Sequence, residues 1–72
     1  MKADLIEKRR QELLKQGYNT RIVEIALDWA KGSAEGMAKY YIGEGNGLEA
    51  LSERMLPRYL KDCETWIKKM TT

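Results

Sequence analysis

The residue types that most often carry catalysis or bind metals are scarce in this chain of 72 residues. It has one cysteine, Cys63, and no histidine, so the commonest general base and the commonest zinc ligand are both missing. No histidine can activate Cys63, and the thiol falls among apolar residues, which indicates packing. We therefore expect a protein that is not an enzyme and that holds no metal or cofactor.

Two pairs of carboxylates stand at helical spacing, Glu24 with Asp28 and Glu49 with Glu53. Acid–base chemistry needs a pocket that shifts a carboxyl pKa, and both pairs fall on predicted polar helix faces instead. The stretch 43–47, GEGNG, has the glycines of a phosphate-binding loop. However, no lysine followed by serine or threonine comes after it, and no buried strand precedes it. We interpret the carboxylates as solvated surface and the glycine run as a chain reversal.

A row of basic residues is the clearest charged feature. Arg54, Arg58, Lys61 and Lys68 recur at helical spacing on the side opposite the apolar residues. Such a row could contact phosphates along a nucleic-acid backbone without reading its sequence. Thirteen basic and eleven acidic residues leave a net charge of only +2, which does not by itself indicate nucleic acid.

Helices must position these residues, because apolar residues recur at intervals of three and four. We expect an all-α fold in a single helical domain, 1–72: a small bundle of four helices covering about 3–16, 20–31, 34–42 and 48–70. Asn19 or Thr20 should cap the central helix, which should bury Trp29 in the core. Gly32 and Ser33 should form the turn that ends it. A kink or a break is expected near Pro57 in the long last helix.

The segment 16–42 resembles the ubiquitin-associated domain and its relatives. The resemblance is carried by Gly17-Tyr18, Ala26-Leu27, and Gly32-Ser33 with Glu35. It implies a compact three-helix bundle with a binding face lined by Gly17, Tyr18, Tyr41 and Ile42. Generic packing of a helical hairpin would produce the same pattern, so both interpretations stay open.

Localisation is expected to be cytoplasmic. A single cysteine is typical of a reducing compartment, and the chain has neither an apolar run of membrane-spanning length nor a signal peptide. No membrane contact is expected.

The thin apolar stripe of the first helix cannot cover the apolar side of the last one, so some apolar surface should stay available. We therefore expect a protein–protein interaction module, a small adaptor or regulatory protein that self-associates or docks on a partner protein. Nucleic-acid binding through the basic row is the alternative. The candidate partner-binding residues are Tyr18, Tyr40, Tyr41, Ile42, Arg54, Arg58, Lys61 and Lys68.

Overall fold

The computed structural model describes residues 1–71 and contains three α-helices. They are α1 (Lys2–Lys15), α2 (Thr20–Ile42) and α3 (Leu48–Thr71). The two long helices, α2 and α3, form an antiparallel hairpin, and α1 packs against both of them. The fold is all-α, but the expected bundle of four helices is wrong.

The error lies at Gly32 and Ser33, which continue α2 instead of forming a turn. Buried alanines explain the continuity, because Ala30, Ala34 and Ala38 stand four residues apart on one side of the helix. Burying that side against α3 outweighs the low helix propensity of glycine and serine. The separate helix expected over 34–42 is therefore the second half of α2.

Of the two alternatives expected near Pro57, a kink or a break, the break is wrong, since α3 is continuous from Leu48 to Thr71. Proline removes one helical hydrogen bond, the one to the carbonyl of Glu53. Pro57 lies at an exposed position, so the loss falls on the water-accessible side of the helix. Packing of the buried side of α3 keeps the helix continuous past Pro57.

The ends of the helices follow local rules. The Asn19 side-chain oxygen accepts hydrogen bonds from the backbone N–H groups of Arg21 (2.9 Å) and Ile22 (3.3 Å), which confirms the expected cap. Gly17 and Gly43 follow α1 and α2 with φ of 93° and 70°. Glycine adopts this left-handed region without steric cost, so it suits both chain reversals.

The core joins small residues of α2 to larger residues of α3. Alanine predominates on the buried side of α2, which lets the two long helices approach closely. α1 contributes a single fully buried side chain, Leu13. The buried core consists of Leu13, Val23, Ala26, Leu27, Ala30, Ala34, Leu56, Leu60, Cys63 and Ile67.

Candidate protein-binding face

Polar contacts hold α1 on one side of the hairpin. Arg10 donates to both carboxylate oxygens of Glu24 in α2, at 2.6 and 3.0 Å. Lys2 lies 3.4 Å from Glu35 of α2 and 3.0 Å from Glu49 of α3. The hydrogen bond to Glu49 raises the pKa of Lys2. These contacts fix which side of the hairpin α1 covers.

The other side of the hairpin is marked by three aromatic rings. Trp29 of α2 stacks on Trp66 of α3, with ring centres 6.2 Å apart and planes at 10°. The rings of Trp29 and Tyr59 meet edge to face, with centres 5.9 Å apart and planes at 82°. At 100° per residue, Trp29 lies on the flank of α2 opposite the residues that face α1. We call this surface the open face; it consists of Ile22, Ile25, Trp29, Gly32, Ser33, Gly36, Met37 and Tyr40 of α2 and Leu51, Met55, Tyr59 and Trp66 of α3.

Large apolar side chains of the open face are substantially exposed. Ile25 is 44%, Met37 38% and Tyr40 79% accessible. Trp29 is 37% accessible, so the expectation that its side chain is buried in the core is wrong. The physical reason is that the buried line of α2 runs through its alanines, which leaves Trp29 at the edge of the contact with α3. Exposed aliphatic and aromatic groups on one side are typical of a binding surface.

The open face is shallow and uneven because the middle of α2 has small residues there. A Cβ atom added at Gly32 or Gly36 would meet nothing within 4 Å. A depression of about 370 Å³ lies beside α3, lined by Leu51, Arg54, Met55 and Arg58. A second one, of about 300 Å³, is lined by Trp29, Asp62, Thr65, Trp66 and Lys69.

The α3 border of the open face is basic. Arg54, Arg58, Lys61 and Lys68 are all exposed along α3, as expected from the sequence. Within residues 1–71, the first three of these form no ion pair with a carboxylate. Because Arg54 and Arg58 also line the depression beside Leu51 and Met55, these two arginines of the basic row adjoin the apolar surface.

The predicted tyrosine sites are not brought together. Tyr40, Tyr41 and Ile42 lie at the end of α2, and the two tyrosine rings meet edge to face at 5.5 Å. Tyr18 precedes the start of α2, about 33 Å away at 1.5 Å per residue. Its hydroxyl donates to Glu64 at 2.8 Å, which raises the pKa of Tyr18. The binding face implied by the ubiquitin-associated resemblance is therefore not assembled.

The candidate binding residues predicted from the sequence did not include Ile25 and Met37, which are exposed, or Met55 and Trp66, which are partly buried beside them. The signal was present in α2, where the flank from Ile22 to Tyr40 carries no charge over about five helical turns. An uncharged flank of that length is unusual for a helix side that faces only water. In the expected four-helix bundle this flank would be covered by a neighbouring helix, so the sequence alone does not indicate an exposed surface there.

Cys63 offers no reactive thiol. It is fully buried, and its sulfur donates a hydrogen bond to the carbonyl oxygen of Ala26 at 3.4 Å. Burial raises the pKa of the Cys63 thiol to about 11, so the nucleophilic thiolate is rare at neutral pH. Among residues 1–71, no cluster of three or more His, Cys, Asp or Glu side chains could hold a metal ion.

Comparisons of the chain with protein-family models, curated proteins and solved structures found no match. Within the described part of the chain, no helix has the length and apolar character needed to cross a membrane.

Proposed function

We propose that this protein is a non-enzymatic interaction module that binds another polypeptide through the open face. The supporting observation is the continuous exposed apolar surface on the side of the hairpin that α1 leaves uncovered. Aromatic side chains such as Trp29, Tyr59 and Trp66 are favoured at protein interfaces, because they bury a large area with few rotatable bonds. An adaptor or regulatory role agrees with this kind of surface.

The free energy gained by burying an apolar patch is comparable to the cost of association. The largest apolar patch on a typical monomeric protein measures about 300–600 Å² and is often functional. Burying roughly 400 Å² at about 25 cal/mol per Å² would contribute about 10 kcal/mol, against an association cost of about 4–15 kcal/mol. Weak to moderate affinity is the expected result, and the few best-packed side chains should decide it.

A matched pair of isoleucines tests the proposal. Ile25 lies on the open face and Ile42 lies at the end of α2 outside it, and their exposures are similar, 44% and 48%. A photo-crosslinking amino acid is placed at one or the other position, in the cells that produce the protein. We expect an adduct of discrete mass from position 25 that disappears when Met37→Glu is added, and none from position 42. Equal labelling from both positions, or no adduct from position 25, would contradict the proposal.

Nucleic-acid binding is a second candidate, favoured by the absence of carboxylate partners around Arg54, Arg58 and Lys61. Two acids beside this row are engaged elsewhere, since Glu53 pairs with the N-terminal amine and Glu64 accepts from a tyrosine hydroxyl. If phosphates contact the row, Arg58→Ala should weaken binding to all sequences about equally and reduce the salt slope by about one unit. Anisotropy titrations with labelled DNA and RNA at low salt measure this. No binding there would remove the candidate.

A further inference from the structure

We infer that the occupant of the open face is an amphipathic helix with an acidic edge, lying in the groove between α2 and α3. This inference rests on the proposed function and specifies the shape and charge of the partner. The two sides of the same hairpin supply the evidence. One side already holds a helix, and the other has the opposite charge along its border.

The side covered by α1 shows how the hairpin accepts a helix. Leu13 of α1 is fully buried there, and Ile6, about two helical turns earlier, packs against the core. The rim of this side is acidic, and cations at the N-terminus and in α1 neutralise it. The ion pairs join Arg10 to Glu24, Lys2 to Glu35, Lys2 to Glu49, and the N-terminal amine to Glu53.

The open face has the reverse charge pattern. None of its α2 residues is charged, and its α3 border carries Arg54 and Arg58, with Lys61 behind them. One acidic residue, Asp62, lines a depression on the same flank. α1 complements the charge and the apolar surface of the side that it covers. A helix that complements the open face in the same way must present an apolar stripe and a row of Glu or Asp toward α3.

The shape of the open face also suits a helix. Gly32, Ser33 and Gly36 leave the middle of α2 without large side chains, so a helix can approach closely. Trp29 lies toward one end of this low region and Tyr40 toward the other. The flank from Ile22 to Tyr40 is about 27 Å long, which corresponds to about five turns of a partner helix.

A second copy of the chain is a poorer occupant, because its open face carries the same basic border and its α1 is already engaged. A nucleic acid would use Arg54 and Arg58, but it would leave the apolar groove in water. Only a polypeptide with both an apolar stripe and acidic groups covers the apolar groove and also pairs with the basic border. Both alternatives are outcomes of the test below.

The test uses the full chain and two designed helical peptides of about 18 residues that contain no tryptophan. Both have the same leucine stripe; one carries glutamates along one edge and the other carries lysines at the same positions. Trp29 and Trp66 report binding by their fluorescence. We expect the acidic peptide to bind about tenfold more tightly than the basic one, with the difference shrinking at high salt.

Two variants and one control variant locate the binding. Arg58→Glu should abolish the preference for the acidic peptide, whereas Lys15→Glu, the same change of charge on α1, should keep it. Gly36→Gln should weaken binding about tenfold by filling the low region, while the melting temperature stays equal or rises, because glutamine favours a helix more than glycine does. The preserved melting temperature separates blocked binding from misfolding.

Several results would overturn the inference. These are equal affinity for the two peptides, self-association that Ile25→Glu abolishes, or tighter binding of DNA or RNA than of the acidic peptide with the same dependence on Arg58. Self-association would leave the proposed function standing with a different occupant. If neither peptide binds but crosslinks from position 25 persist, only the helical partner is wrong. If those crosslinks are absent too, the proposed function fails with it.

Discussion

Replacing Gly32 or Gly36 by alanine should stabilise the protein, because both glycines lie inside a continuous helix. Neither has a positive φ, and an added Cβ meets nothing within 4 Å at either position. Alanine is favoured over glycine in a helix interior by about 1 kcal/mol. For a domain of this size, 1 kcal/mol raises the melting temperature by about 4–8 °C. Each single variant should show a shift of this order, and the double variant about twice as much.

Thermal unfolding followed by circular dichroism measures the effect, with Gly17→Ala as the control. Gly17 has φ of 93°, a conformation that costs an alanine about 1–2 kcal/mol, so this variant should melt at a lower temperature. If Gly32 instead closed a helix in the left-handed conformation, Gly32→Ala would behave like the control. A lower melting temperature for Gly32→Ala would therefore refute the continuous α2.

Three further predictions concern the core and the titrating groups. Leu13→Ala should cost about 2–5 kcal/mol in a urea titration, because Leu13 is the one fully buried side chain that α1 contributes to the described core. The Arg10 guanidinium lowers the pKa of Glu24. The free energy of unfolding should therefore fall as the pH drops below about 4.3, the ordinary pKa of a Glu side chain. Glu24→Gln should flatten this part of the curve of unfolding free energy against pH. The thiol of Cys63, with its pKa raised to about 11, should react with a disulfide reagent far more slowly at pH 8 than in urea, and equal rates would contradict its burial.

The features that the sequence predicted correctly are those that depend on local chemistry. The Asn19 cap requires only a side-chain oxygen two or three residues before free N–H groups. The alignment of Arg54, Arg58 and Lys61 requires only that residues 48–70 be helical, since the spacing then fixes their side of the helix. Neither conclusion depends on how the helices pack.

The features that were predicted wrongly depend on packing. Gly32 and Ser33 favour a turn by local preference, and only the burial of Ala30, Ala34 and Ala38 against α3 makes a continuous helix the better solution. In the same way, a helical wheel places Trp29 on a broad apolar arc. It does not say which part of that arc meets α3 and which part meets water.

These two errors have one origin, and it bears on function. A turn at Gly32 would fold the second half of α2 back onto the first half and cover the flank that carries Trp29. With α2 continuous, that half extends along α3 instead, and the flank stays partly exposed, with Trp29 37% and Ile25 44% accessible. The weak helix formers Gly32, Ser33 and Gly36 are unfavourable for the stability of a continuous helix, yet they form the low region of the open face. Residues that weaken a helix but shape its exposed side are expected where a partner must approach closely.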